Sequence, residues 1–529
     1  MVDTQLPPLI QALHRPACYG HPVRDIRLVE THISWVFLTG SYAYKIKKPV
    51  NLGFLDFSTL EKRRFYCEEE LRLNRRLAPS LYLEVVSITG LPASPVFSGG
   101  GEAIEYAVKM VQFPEEARLD RMLTRGELRA EHVDLLAQEL AEFHGRIAVA
   151  GNDKPFGDPD HVHEPVRENF IQIRPRIEAG DETPLRRLEI WSEMSFTELH
   201  RTFEARKHGG FIRECHGDAH LANMVWLDNR MMLFDCLEFS DNLRWIDVMS
   251  ELAFLVMDLD DRGRSDLARR ALNSYLEHTG DYAGLVVFRF YQVYRALVRA
   301  KVACIRLGQR GLSDQNKKKT REEYRGYANL AERYTQPPSA TLIITHGLSG
   351  SGKTRLSQQL LESFDAIRVR SDIERKRLHG LAPLARSGSG IESGIYSSGA
   401  SQLTYARLAE LASTILRAGH SVIVDAAFLK RSQRDQLHTV ADELHVPFVI
   451  LDIEAPENTL RKRLRQRGVQ QHEASEADLA VLEHQLATQE PLSDDEQRHA
   501  LTFDSSASIP IATLERQLRE QLAADMSSF

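Results

Sequence analysis

Apolar and polar positions alternate over short stretches in the first hundred residues. Ile33–Thr39 and Ala43–Lys47 predict two strands around a turn at Gly40-Ser41. Arg63–Leu77 reads as a helix, with Leu73 and Leu77 on one side, and Ala103–Val111 reads as another strand. From about Glu131 the period changes. Val133, Leu136, Leu140 and Phe143 form one apolar helical stripe. Residues 131–335 predict mostly helix, interrupted by a strand–loop–strand segment at 212–236. Beyond 340, strands at 341–345, 421–425 and 448–453 alternate with helices, the pattern of a parallel α/β sheet.

The clearest boundary is Gln336-Pro337-Pro338-Ser339, which interrupts a charged helical stretch ending near Tyr334. The expected organisation is an α+β unit over 1–335, with a small lobe at about 25–113 and a helical lobe at about 114–335. A linker follows at 336–340, then an α/β unit over 341–529. The 529 residues are 43% hydrophobic and 27% charged, with net charge −7, which excludes a disordered chain and disfavours nucleic-acid binding through bulk charge. The five cysteines (Cys18, Cys67, Cys215, Cys236, Cys304) form no CxxC pair, which argues against a disulfide framework or zinc knuckle. Nothing reads as a secretory leader or membrane span, so the expectation is a soluble, cytoplasmic protein.

Chemistry concentrates in two places. The first is His216-Gly217-Asp218-Ala219-His220-Leu221-Ala222-Asn223, followed by Met231-Met232-Leu233-Phe234-Asp235. Phosphoryl transfer needs a carboxylate to orient an acceptor hydroxyl and take its proton, and Asp218 on a tight loop suits that task. It also needs hard oxygen ligands for magnesium, which Asn223 and Asp235 offer. His216 reads as an anchor for the loop.

These residues resemble the catalytic and metal-binding loops of aminoglycoside phosphotransferase-like enzymes, relatives of protein kinases. The resemblance extends over roughly 25–330. It implies a two-lobed protein-kinase-like fold, with Asp218 as catalytic base and Asn223 and Asp235 as magnesium ligands. It also implies a strand lysine for the ATP phosphates, paired with a helix glutamate. Lys45 is preferred over Lys47, which shares its strand face; Glu70 is preferred over Glu68 and Glu69. Asp247 is assigned to holding the catalytic loop. No long Gly-rich phosphate loop appears; Thr39-Gly40-Ser41-Tyr42 is a shorter turn.

The second place is Gly347-Leu348-Ser349-Gly350-Ser351-Gly352-Lys353-Thr354, a G-x-x-x-x-G-K-[ST] run between a strand and a helix pattern. Backbone N–H groups of Gly347, Ser349, Gly350, Ser351 and Gly352 would cradle phosphates. Lys353 would reach the β/γ-phosphates and Thr354 would bind magnesium. Asp425, ending an apolar strand, suits a contact to magnesium-bound water. The run and its sequels resemble P-loop kinases of the polynucleotide kinase and zeta-toxin-like group. That likeness implies Asp372 as catalytic base, against a simple N-cap reading. It implies Arg375 as a substrate-anion contact, and Arg463 and Arg467 on a lid helix over the phosphates; Arg461 and Arg465 could do the same from another face.

The expected function is a bifunctional, ATP- and magnesium-dependent phosphotransferase acting on small-molecule or nucleotide-like hydroxyl acceptors, with no membrane partner. The alternative is an N-terminal nucleotide-sensing module that regulates a single active P-loop kinase.

Overall fold

The computed structural model describes residues 6–526 apart from positions 54, 309–311, 338, 384, 391–392, 468–474 and 507–509; the side chains of 467 and 524–526 also lie outside the description. The chain forms two compact units. The first joins residues 1–167 to 200–258, and the second joins 168–199 to 259–529.

The first unit carries a six-stranded sheet: β1 (Arg27–Glu30), β2 (Ser34–Leu38), β3 (Tyr42–Lys47), β4 (Tyr82–Leu91), β5 (Ser94–Phe97) and β6 (Ala103–Val111). Its order is β1-β2-β3-β6-β4-β5, antiparallel throughout. In β3, Tyr44 and Ile46 enter a core with Trp35, Phe37 and Phe97. Strand alternation therefore turns Lys45 and Lys47 to the other face. The Leu60–Asn74 helix is N-capped by the Thr59 hydroxyl, which accepts the Lys62 N–H, and it buries Cys67, Glu70, Leu73 and Asn74. It ends before Leu77, so that residue follows the helix instead of sharing its face. Two short ladders complete the unit's strands. β7 (Ile212–Glu214) pairs with β10 (Trp245–Asp247), and β8 (Met224–Leu227) pairs with β9 (Arg230–Leu233).

The second unit contains a wholly parallel sheet of β11 (Leu342–His346), β12 (Ala366–Arg370), β13 (Ser421–Asp425), β14 (Phe448–Glu454) and β15 (Ala500–Asp504), in the order β12-β13-β11-β14-β15. Every residue of β11 and β13 is buried, as expected where both faces of a parallel strand are covered. The connection order reverses at β11, with β13 on one side and β14 on the other. A crevice opens outside the carboxyl ends of strands at such a reversal, and residues 347–354 follow β11 there. Among the described residues, no helix is long and apolar enough to cross a membrane.

Candidate active sites

In the first unit β3 and the Leu60–Asn74 helix bring two lysines to one glutamate. Lys45 Nζ lies 2.8 Å from Glu70 Oε1 and 2.5 Å from Asp235 Oδ1. Lys47 Nζ lies 2.7 Å from Glu70 Oε2 and also pairs with Glu238. Glu68 and Glu69 instead pair with Arg64 and Arg72 at the surface. Burial alone would lower the Lys45 ammonium, but Asp235, Glu70 and Glu238 around it hold it well above its ordinary value. Burial would likewise raise Glu70; the Lys45 and Lys47 charges and hydrogen bonds win and hold it down. Glu238 is pushed up, chiefly by burial, with Glu70 adding and Lys47 opposing.

The catalytic-loop segment is fixed by buried groups. Asn223 Nδ2 donates to Asp218 Oδ2 at 2.8 Å and to Asp218 O at 3.1 Å. That spends the amide hydrogens and leaves Asn223 Oδ1 as an acceptor. His220 Nε2 stands 3.4 Å from the same Asp218 oxygen. His216 Nδ1 accepts the Asp218 N–H at 3.3 Å, so its Nε2 carries the proton given to Phe234 O at 2.9 Å. Burial lowers the His216 pKa and keeps the ring neutral. Asp235 sits in the left-handed region at φ 65° with its side chain about half exposed, and its N–H donates to the Tyr82 hydroxyl at 3.1 Å.

The loop's anchor is not Asp247. That carboxylate is bound to Arg206, at 2.5 Å to Nε and 2.8 Å to Nη2. Glu251 does the holding: it accepts the His216 N–H at 3.0 and 2.8 Å and the Gly217 N–H at 3.3 Å. Burial would raise Glu251, yet the hydrogen bonds it accepts from His144 and the Gly217 amide outweigh that and hold it at about 2. A buried acid at the start of the apolar run Leu252–Met257 was the sequence signal for it. His144, Cys215 and Glu251 bring ligand atoms within 4.8 Å of one another, but the Glu251 oxygens already serve the two loop amides.

In the second unit the 347–354 segment forms a cradle. Gly347, Gly350 and Gly352 have φ of 137°, 83° and 98°, and a Cβ at Gly347 would fall 2.4 Å from Ile453 O. The Ser351 hydroxyl is buried without a partner. Lys353 Nζ folds back on the carbonyls of Gly347 (2.8 Å) and Leu348 (2.7 Å), and Ser349 N donates to Gln485 Oε1 at 2.8 Å. Glycine backbone, an orphan hydroxyl and a lysine together suit a phosphate chain. Thr354 opens the Lys353–Ser363 helix, and Asp425 ends β13, where its Oδ2 accepts the Ser357 hydroxyl at 3.0 Å. Oxygen donors of this kind suit magnesium, as do Asn223 and Asp235 in the first unit.

Asp372 stands in the first turn of the Ser371–Leu378 helix; that helix has no side-chain cap bond. Arg375 donates to Ile395 O at 2.9 Å and Ser401 Oγ at 3.2 Å and lies 5.0 Å from the Tyr396 ring centre, while its Nε is buried without a partner. Arg463 reaches the cradle from outside: Nη1 donates to Gly350 O (3.2 Å), Ser351 O (3.3 Å) and Ser505 Oγ (2.9 Å). Arg461 is paired with Glu457 and Glu483, and Arg465 is exposed. The Arg467 side chain lies outside the described residues.

The fold and these two constellations define a phosphotransferase of kinase type that joins a protein-kinase-like region to a nucleotide-binding P-loop region. A family model described as "Phosphotransferase enzyme family" matches residues 66–286, and one described as "AAA domain" matches 342–492. An uncharacterized protein of Mycobacterium tuberculosis H37Rv is 31% identical over 457 residues, covering 85% of this chain and 89% of its own; a Mycobacterium bovis counterpart matches equally. The chain belongs to one family with these mycobacterial proteins. Among solved structures, a choline/ethanolamine kinase family protein from Mesorhizobium loti matches at 13% identity and TM-score 0.38, over 62% of this chain and 94% of that one. A gluconokinase from Sinorhizobium meliloti matches at 21% identity and TM-score 0.25, over 36% and 94%. Likenesses that shallow carry no argument about the reaction.

Proposed function

We propose that each unit carries its own ATP-dependent phosphotransferase site, so that the chain is bifunctional. In each site the acceptor is a hydroxyl of a small-molecule or nucleotide-like compound. Its oxygen forms a bond to the γ-phosphorus, the bond from that phosphorus to the β-bridging oxygen breaks, and ADP leaves. The hydroxyl proton passes to a carboxylate, Asp218 in the first unit and Asp372 in the second. Asn223 and His220 hold the Asp218 carboxylate in place. Lys45, steadied by Glu70, and Lys353 offer positive charge to the phosphates. Asn223 with Asp235, and Thr354 with Asp425, would hold magnesium, which when bound neutralises triphosphate charge. Five buried cysteines without disulfides fit a reducing, ATP-containing compartment, and the cytoplasm is the location we assign.

One observation supports two working sites best: Lys45 joins Glu70 and Asp235 across 190 residues of sequence. That arrangement assembles the charged groups phosphoryl transfer needs. ATP turnover by Asp218→Ala and Lys353→Ala proteins tests the reading. Each substitution is expected to remove one part of the wild-type turnover and leave the other. If Lys353→Ala alone removes everything, the first unit is a sensing module and the bifunctional reading is wrong.

A further inference from the structure

β12 is an edge of the parallel sheet, and the Ser265–Thr279 helix of the same unit completes it with side chains. Asn273 Nδ2 donates to Ala366 O at 3.2 Å, and Asn273 Oδ1 accepts the Arg368 N–H at 2.6 Å. One amide thus supplies the donor and acceptor that a neighbouring strand would give. One turn further along, the partly buried Glu277 accepts Arg368 Nη2 at 2.7 Å and Nε at 3.1 Å, and its Oε2 lies 3.6 Å from Arg370 Nη1. Arg377 Nη2 donates to Glu277 O at 2.5 Å and fastens the helix end to the Ser371–Leu378 helix.

Both arginines lead to the phosphate site. Arg368 Nη1 lies 3.5 Å from Thr354 O and 3.5 Å from Ser357 Oγ, and that hydroxyl donates to Asp425. Arg370 is in register with Asp425 across β12 and β13 and stands two residues before Asp372. Burial would lower the Arg370 guanidinium; Glu277, Asp425 and Asp372 together hold it up. Glu277 is the one of these three carboxylates to which no chemical task is assigned.

We infer that Glu277 is a positioning residue of the P-loop site: it anchors Arg368 and Arg370 so that Arg370 is not closed onto Asp372. The inference rests on the reading of Asp372 as the proton acceptor. Without the Glu277 charge, Arg370 can form a bidentate pair with that carboxylate and occupy the oxygens the acceptor hydroxyl needs. ATP binding depends on the 347–354 backbone and Lys353, so turnover falls while the ATP requirement stays. Glu277 lies inside the stretch matched by the phosphotransferase family model, and so one family's segment completes the other's site.

The test uses full-length protein carrying Asp218→Asn, with magnesium–ATP as the probe and ADP release as the readout. Adding Glu277→Gln is expected to lower kcat about tenfold with KM for ATP unchanged within about twofold. Glu277→Asp, which keeps the charge, is expected to recover most of the loss. The pair Glu277→Gln/Arg370→Gln is expected to fall no further than Arg370→Gln alone, because the harm acts through Arg370. Wild-type kcat in Glu277→Gln, losses that multiply in the pair, or a loss that follows a lowered melting temperature overturns the inference and leaves the site reading standing. Turnover that survives Lys353→Ala in this background overturns the site reading, and the inference falls with it.

Discussion

The two sites hold their lysines in opposite ways. Lys45 in the first unit is gripped by carboxylates from β3's neighbours in space, with Lys47, Glu70 and Glu238 buried in the same cluster. Lys353 in the second unit rests on two backbone carbonyls of its own loop. The first arrangement is built from side chains that must all be present for any of them to be tolerable out of water. The second is built from backbone geometry that three glycines permit. Around the lysines, buried charge therefore couples function to stability in the first unit, whereas in the second the lysine's hold rests on backbone.

Two substitutions break this comparison most sharply. Lys47→Met strands Glu70 and Glu238 with only Lys45 to compensate them. Chemical denaturation is expected to show a loss of about 3–5 kcal/mol, the cost of removing one partner from a buried ion cluster. Lys353→Met removes bonds to two loop carbonyls that water can replace, so its unfolding free energy is expected to stay within about 1 kcal/mol of wild type while P-loop turnover is lost. Equal destabilisation by both would end the distinction.

A smaller effect sharpens the account of the second unit. Burial holds the His420 imidazole down to about 4 from its ordinary 6.5; Asp365 opposes this and Arg289 adds to it. A folded-state value below the unfolded one means the unfolded chain binds the extra proton first. The stabilisation is therefore complete above pH 6.5, is lost as pH falls from there to about 4, and amounts to at most about 3 kcal/mol. Hydrogen exchange at residues 419–421, corrected for intrinsic rates, should lose protection across that window, and His420→Gln should flatten the change. An unchanged slope in the variant would remove His420 from the account.

Legibility in the sequence followed the same division. The cradle was readable because its parts are consecutive and each residue type has one mechanical reason to be there. The strand pattern of β13 and β14 and the parallel sheet were readable for a similar reason: buried strands are continuous apolar runs. The partners of the lysines were readable only in part. Helical spacing set Glu70 beside Leu73, but nothing local distinguished Glu238 as the partner of Lys47. Glu251 and Asp247 both lie in the stretch after Arg244, and no local pattern separates them. The anchoring role went to Glu251, because one turn of helix carries its carboxylate to the His216 and Gly217 amides. The tie from Glu277 to Arg368 spans 91 residues and leaves no periodic trace.

The claim of two separate phosphotransferase sites is tested most directly with labelled ATP and a pool of small metabolites, comparing wild type with Asp218→Asn and Asp372→Asn. The account predicts two different sets of labelled products, one lost in each variant and kept in the other. If no product depends on either aspartate, or if both variants lose the same products, the account is wrong.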